Sequence, residues 1–225
     1  MIARGAARIA ALLAALTLAA CGKSAGPPAD APAPIAAPTF HADANPQRLS
    51  EWGMLRAADG ELTLGARVLA YDLNTPLFTD YAQKLRTIWM PEGLTAGYED
   101  TATLDFPVGT VITKTFYYPR GDGESVVEGG APEAPGGETL DLSDMRLIET
   151  RVLVHRADGW VALPYVWDDD QRDARLMRIG ATAKLTLARA DGRRDDFTYI
   201  VPDANQCAGC HATDNTAHWF ASGTM

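Results

Sequence analysis

The sequence predicts a mainly β protein: an antiparallel sandwich or barrel-like sheet that ends in a short C-terminal helical segment. Two β-hairpin patterns carry the prediction. The first joins residues 147–156 to 160–167, and the second joins 183–189 to 197–201, each through an Asp-Gly turn. Consecutive hairpins favour an antiparallel sheet over alternating βα units.

Three further patterns precede the hairpins. Residues 111–118 are rich in β-branched and aromatic side chains and are the strongest strand candidate. Residues 67–73 and 84–90 also read as strands, the second alternating until Pro91. Residues 49–55 predict a short helical turn with Ser50 as its N-cap.

Two segments between the strands are interpreted as loops. Asn74 and Pro76 indicate a turn within residues 71–82, for which a ligand loop and a buried structural turn are the alternatives; we favour the buried turn. Residues 120–139 are rich in glycine, proline and acidic side chains. They predict a flexible surface excursion.

An acidic run occupies residues 168–173. Calcium would suit clustered carboxylates, but Arg172 occupies a ligand position and no glycine follows it, so the spacing does not match an EF-hand. We interpret the run as a solvated start to a helical turn over residues 171–177.

The composition is that of an acidic globular protein. With 225 residues and 47% apolar side chains, the chain can fill one good-sized core or two small ones. The formal charge is −9, which disfavours nucleic acid as a partner. Steering of a basic redox partner and solubility alone are the alternative roles of this charge.

The N-terminus predicts export. Residues 1–20 combine a basic start, an apolar stretch and small residues, as in a signal peptide. Residues 18–21 resemble a lipobox, in which Cys21 is lipidated and anchors the protein to a bacterial membrane; an ordinary signal peptide is the alternative. Removing residues 1–20 takes away Arg4 and Arg8 and no acid, so the charge moves from −9 to −11.

A tether follows the predicted anchor. Residues 21–39 are rich in proline and alanine and predict an extended spacer. The mainly β domain is expected at 40–201, with folded structure beginning near residues 40–48. Residues 202–225 form the last predicted segment.

That segment contains Cys207-Ala208-Gly209-Cys210-His211, the spacing of covalent haem c attachment. Cys207 and Cys210 would form thioethers to the two vinyl groups, and His211 would coordinate the iron. A thioredoxin-like pair or half of a zinc site are the alternatives. The first lacks a βαβ pattern and the second lacks another ligand pair.

The surrounding residues suggest a short helix but leave the second iron ligand open. Asp203 or Asn205 would cap the helix. His218 could reach the opposite side of a haem only if the chain turns back after Asp214, because on a continuing helix it would share the face of His211. The other candidates are methionines and histidines elsewhere: Met54, Met90, Met145, Met177, Met225, His41 and His155.

A family resemblance agrees with this motif. The segments that carry it are 49–53, 71–82, 106–110, 146–151 and 205–211. Together they resemble a bacterial family of largely uncharacterised, usually diheme, c-type cytochromes that are often exported lipoproteins. The resemblance implies haem binding and electron transfer outside the cytoplasm. Family members continue well beyond the motif, so we expect this chain, with one such motif, to be truncated or divergent.

The sequence therefore predicts a lipid-anchored periplasmic cytochrome with one haem c, which transfers single electrons to an unidentified redox partner protein. An accessory lipoprotein is the alternative, in which the β domain binds a partner protein or glycan and the haem is vestigial or absent. Electron transfer is favoured over enzymatic activity, because no acid, base or nucleophile pattern defines a catalytic site.

Overall fold

The computed structural model describes residues 36–75, 77–128, 139–213 and 218–219, with side chains as far as Cys207. These residues belong to one compact unit that runs from Pro34 to Met225. The chain is mainly β with one short α-helix near its C-terminus, as predicted. The signal peptide, Cys21 and most of the tether lie outside the described residues. Within those residues, no helix combines the length and apolarity needed to cross a membrane.

The elements follow one another along the chain in a simple order. They are a 3₁₀ turn at Leu49–Trp52, β1 Leu55–Ala58, β2 Glu61–Leu64, β3 Leu69–Tyr71, β4 Gln83–Trp89, β5 Val111–Pro119, β6 Val126–Val127, β7 Thr139–Asp141, β8 Met145–Arg156, β9 Gly159–Trp167, β10 Ala174–Leu176, β11 Ala181–Ala188, β12 Arg194–Val201, α1 Ala204–His211, β13 Ala212–Thr213 and β14 His218–Trp219.

A six-stranded antiparallel sheet forms the centre of the fold, in the order β10-β9-β8-β5-β4-β3. The first predicted hairpin is its β8–β9 pair, which closes where Arg156 pairs with Gly159. The predicted strands at 84–90 and 111–118 are confirmed as β4 and β5. The strand predicted at 67–73 is reduced to the three residues of β3.

One face of this sheet packs against a small sheet of β1, β2 and β7. Its core includes Trp52, which is completely buried. The Trp52 indole donates a 2.8 Å hydrogen bond to the Tyr165 hydroxyl, which in turn donates to the Pro46 carbonyl. The 3₁₀ turn is thereby fixed to strand β9. Because Arg48 occupies the N-cap and Ser50 lies inside the turn, the predicted cap at Ser50 is wrong.

The opposite face packs against the second predicted hairpin, β11–β12. Side chains alternate between the two cores at the end of β5: Phe116 and Tyr118 belong to this second core, whereas Tyr117 belongs to the first. Strand β6 lies parallel to β11, and Val126 is fully buried. The predicted surface excursion is therefore wrong at residues 126–127, and residues 129–138 lie outside the described part.

The predicted tether ends earlier than expected. The amide of Ala66 donates to the Ala36 carbonyl at 3.2 Å, and the amide of Thr39 donates to Trp52 at 2.9 Å. Pro38 is buried between them. Residues 36–39 therefore belong to the folded domain, because their backbone groups pair with it.

The acidic run is exposed at Asp169, Asp170 and Arg172, as predicted, but it does not start a helix. Asp168 forms ion pairs with Arg48 at 2.6 Å and Arg175 at 2.8 Å. Asp173 accepts hydrogen bonds from the amide and hydroxyl of Ser50. The residues that follow form strand β10 and no helical turn, because they pair with β9. The run holds the 3₁₀ turn against the edge of the central sheet.

The Asn74 to Phe78 segment is exposed, so the predicted buried turn is wrong. Leu77 is 55% exposed and Phe78 is 71% exposed, while Pro76 lies outside the described residues. Phe78 packs edge-on against Tyr81, with ring centroids 5.0 Å apart. An apolar loop therefore lies at the β3 edge of the sheet.

Candidate functional site

The Cys-Ala-Gly-Cys-His motif occupies the second half of helix α1. Asp203 caps this helix, which confirms one of the two predicted caps. The Gln206 amide donates to Asp203 Oδ1 at 2.8 Å, and the Asp203 amide donates to Gln206 Oε1 at 3.0 Å. This reciprocal capping box satisfies two amides that the first turn would leave unpaired.

Helix geometry places the three motif positions together. Positions 207, 210 and 211 are related as i, i+3 and i+4, and such positions lie on one face of an α-helix. Cys207 is buried, with 7% of its surface exposed. The helix lies against β9, so its motif is held at the central sheet.

The chain reverses after the helix. Strands β13 and β14 pair antiparallel, with Thr213 opposite His218, and β14 also lies against β9. The helix therefore ends at His211, and His218 is not on a continuing helix. The backbone thus makes the reversal that His218 would need in order to act as the second iron ligand.

A close backbone contact fixes the start of the helix. The Ala204 amide donates to the Arg178 carbonyl at 3.2 Å. Gly180, at φ +75°, lies where a Cβ atom would come within 2.6 Å of the Val201 carbonyl oxygen and 3.1 Å of the Asp203 amide nitrogen. Glycine therefore lets the turn before β11 touch the junction between β12 and α1.

A buried polar network lies beside Cys207. Glu149 on β8 is fully buried and accepts two hydrogen bonds from Arg151, at 2.9 and 2.6 Å, and one from the Tyr199 hydroxyl at 2.7 Å. Burial opposes the charge of Arg151, but the hydrogen bond and charge of Glu149 prevail and raise its pKa, with smaller contributions from Tyr199 and Cys207.

Arg151 is also one member of a row of cations. Lys114 on β5 lies directly opposite both Arg86 on β4 and Arg151 on β8 in the strand registers. Side chains at directly paired positions share one face of a sheet. Lys114 and Arg151 both lie over the Phe116 ring, at 5.2 and 4.4 Å from its centroid. We call Arg86, Lys114 and Arg151 the basic row.

Arg86 is the most enclosed member of the basic row. Its side chain is 4% exposed, and Nη1 donates to Asp72 Oδ1 at 2.8 Å. Its Nε and Nη2 are buried and have no hydrogen-bond partner in the described part of the chain. A buried guanidinium with unused donors indicates a place for an acceptor that the described residues do not supply.

Burial and neighbouring positive charges lower the pKa values of the two lysines on this face. Burial, together with repulsion from Arg86, Arg151 and Lys84, lowers the pKa of Lys114 to about 8. Burial and the charge of Arg86 lower the pKa of Lys84 as well. The face therefore favours a negative partner.

The candidate second ligands differ in their positions. Met54 is fully buried in the first core, and Met145 packs against that core, on the sheet face opposite to Arg151. His41 packs edge-on against Trp52. His155 stacks on Trp160 at 4.6 Å. Its Nδ1 lies 2.7 Å from the Phe106 carbonyl and therefore carries the proton there, which leaves Nε2 as an acceptor in the neutral ring.

Two surface pockets lie away from the motif. One, of about 320 Å³, is lined by residues of the 3₁₀ turn and β1, and the other, of about 600 Å³, is lined by the turn after β1 and the acidic loop. Cys207 lines neither pocket. No group of three or more His, Cys, Asp or Glu side chains that could hold a metal ion occurs among the described residues.

The sequence alone did not predict the basic row, although each of its members is a charged residue within a strand. Arg86, Lys114 and Arg151 each interrupt a strand whose neighbours are apolar or threonine. They are 28 and 37 residues apart in the sequence, so only the strand registers bring them together.

Comparisons with protein-family models, with curated proteins and with solved structures found no match to this chain.

Proposed function

We propose that this protein is a periplasmic c-type cytochrome that carries one covalently attached haem and transfers single electrons. Cys207 and Cys210 are the attachment residues, and His211 is the proximal iron ligand. The observation that supports this most directly is the placement of the motif on a capped helix that lies against β9, with Cys207 buried.

Cys207 and Cys210 would supply the two thiols for attachment. Each thiol would add across a vinyl C=C bond of haem, the sulfur bonding to one carbon and the hydrogen to the other, so that the addition would consume no oxidant or reductant. The i, i+3 and i+4 spacing lets both thiols and the imidazole act from one helix face. When bound, haem supplies one-electron redox chemistry.

The described residues fit such a group. Haem is apolar over most of its surface and carries two carboxylates, and the sheet face that carries Arg151 offers aliphatic side chains and cations. Leu69 and Ile88 on that face keep exposed surface, and two buried donors of Arg86 have no partner among the described residues. The protein itself would hold the imidazole, limit the access of water to the haem and place positive charge near it.

The N-terminal sequence supports a proposal for the cellular location of the protein. We propose that residues 1–20 direct export and that a lipid on Cys21 retains the domain at the periplasmic side of a membrane. The acidic surface then favours a basic redox partner over nucleic acid. A Cys21→Ser variant is expected to move from the membrane fraction to the soluble fraction of the periplasm.

Expression in an exporting host that has the haem-attachment machinery tests the proposed function. We expect a haem-stained band on a denaturing gel and sharp reduced α and β absorption bands. A Cys207→Ala/Cys210→Ala variant should lose the stained band. If a control cytochrome is matured in the same cells and this protein carries no haem, electron transfer is excluded.

An accessory binding lipoprotein is the second candidate. The exposed pair of Phe78 and Tyr81, and Tyr98 with 75% of its surface exposed, favour contact with a partner protein or glycan. The same gel separates the candidates, because a binding module has no need of covalent haem. Retention of wild-type haem content in a Phe78→Ser variant would further separate this loop from the haem site.

A further inference from the structure

The basic row is built into the centre of the sheet. Arg86, Lys114 and Arg151 occupy paired positions on three neighbouring strands, so the outer two are separated by two strand spacings, about 10 Å. Because each lies within a strand and not in a loop, the backbone fixes their relative positions. Such a row presents donors at a defined spacing to one ligand.

Positive charge on this face exceeds negative charge. The face carries four cations, Lys84 and the three members of the basic row, whereas Asp72 and Glu149 are the carboxylates paired with them. Two positive charges are therefore in excess among the described residues. In the part of the chain that the structure describes, Lys114 forms no ion pair, and Arg86 keeps two buried donors unused.

An apolar row runs parallel to the basic row. It lies two residues away along the strands, where Leu69 pairs with Ile88, Ile88 with Ile112, and Ile112 with Leu153. Leu69 is 64% exposed. The sheet face thus presents cations along one line and aliphatic side chains along the next, which suits a flat apolar ligand that carries carboxylates at one edge.

Both rows lie on the Cys207 side of the sheet. Cys207 contributes to the pKa of Arg151, and Tyr199, which precedes the helix by five residues, donates to the Glu149 carboxylate that pairs with Arg151. Helix α1 also lies against β9, which pairs with β8, so a ligand joined to Cys207 lies on the side of the sheet where the Arg151 end of the basic row is found.

We propose that Arg86, Lys114 and Arg151 bind the two propionate carboxylates of the haem attached at Cys207 and Cys210. This inference rests on the proposed function and identifies the residues that orient the haem. The three cations of the basic row exceed their paired carboxylates, Asp72 and Glu149, by one charge, and Lys84 on the same face supplies a second. The guanidinium donors of Arg86 supply the fork that a carboxylate accepts.

The test uses the haem-loaded protein and a matched pair of variants. Lys114→Gln removes a charge from the basic row, while Lys184→Gln removes the same charge from an exposed position of β11. The midpoint potential of Lys114→Gln is expected to fall, because a cation beside a propionate favours the reduced haem. An unpaired propionate also binds protons more readily, so the potential of Lys114→Gln should become pH-dependent near neutrality. The potential of Lys184→Gln should match that of wild type at each pH.

The outcomes separate this inference from the proposed function. Absence of covalent haem in the wild type removes both. Covalent haem with the same potential and pH dependence in Lys114→Gln and Lys184→Gln overturns the inference alone.

A second measurement identifies the source of the bound anion. The melting temperature of the haem-loaded protein is compared in inorganic phosphate and in chloride at equal ionic strength. If propionates fill the basic row, phosphate gives no specific stabilisation. A phosphate-dependent rise in the wild type that Lys114→Gln abolishes would show a row open to free anions, and would overturn the inference.

Discussion

Tyr199 donates a 2.7 Å hydrogen bond from its hydroxyl to Glu149, a carboxylate without exposed surface. This contact joins the last strand before the motif helix to the centre of the main sheet. Burial, together with the charge of Glu149, raises the pKa of Tyr199, so the hydroxyl remains protonated and continues to donate. Glu149 in turn holds Arg151, and the network positions a cation beside Cys207.

Replacing Tyr199 with phenylalanine is expected to lower the free energy of unfolding by about 1–3 kcal/mol. The change removes one hydrogen bond to a buried carboxylate that Arg151 continues to bind, and a hydrogen bond to a charged group contributes about 1.5–3 kcal/mol. Urea unfolding measures the loss. The control is Tyr98→Phe at an exposed position, for which the expected change is within about 0.5 kcal/mol. Equal effects of the two variants would show that the hydrogen bond contributes nothing.

Gly180→Ala is expected to destabilise the protein more than Gly192→Ala. Both glycines have positive φ, +75° and +86°, so an alanine at either position costs about 1–3 kcal/mol in backbone strain. At Gly180 the new methyl group would also lie 2.6 Å from the Val201 carbonyl oxygen, whereas nothing lies within 4 Å at Gly192. The difference between the two unfolding free energies measures this steric contact. Because the contact positions the start of α1, we also expect less haem attachment in Gly180→Ala, and normal attachment in that variant would contradict this role.

Lys114 makes the stability of the haem-free protein depend on pH. Burial, with repulsion from neighbouring cations, lowers its pKa to about 8 from an ordinary value of 10.5. Between these two values the unfolded chain binds more protons than the folded chain, so the contribution of Lys114 to stability rises with pH. Below pH 8 the charged lysine is destabilising.

A Lys114→Met variant in the Cys207→Ala/Cys210→Ala background tests this sign. It should be more stable than its parent at pH 7, and the advantage should shrink as the pH rises to about 10.5. Lys184→Met, at an exposed position, is the control for the loss of a lysine. A pH-independent difference between Lys114→Met and its parent would show that Lys114 does not titrate in this window.

The hairpins could be predicted because each is formed by two segments that are neighbours in the sequence. Strand pairs β8–β9 and β11–β12 join strand-like segments through Asp-Gly turns, and both pairs formed as expected. The short strands were not predictable. Strand β6 consists of Val126 and Val127 in a glycine-rich segment, and its burial results from parallel pairing with β11.

The candidate site also has one part that local sequence predicts and another part that it does not. The position of the motif and the cap at Asp203 follow from local sequence, because the capping partners are three residues apart. The basic row depends on registers between β4, β5 and β8, which no single segment encodes. The acidic loop was misread for a related reason: Asp173 is paired with Ser50, more than a hundred residues away.

Met54 and Met145 are expected to have no part in iron coordination. Met54 is fully buried among the side chains of the first core, and Met145 packs against that core, so both are separated by the central sheet from the face that carries Arg151. Met54→Leu and Met145→Leu nearly conserve volume, and each should cost less than about 1.5 kcal/mol. Visible spectra of the oxidised and reduced haem-loaded protein should be unchanged in both variants. A high-spin spectrum in either variant, in place of a low-spin one and with the melting temperature unchanged, would instead identify that methionine as a ligand. Coordination by that methionine would require the first core to open.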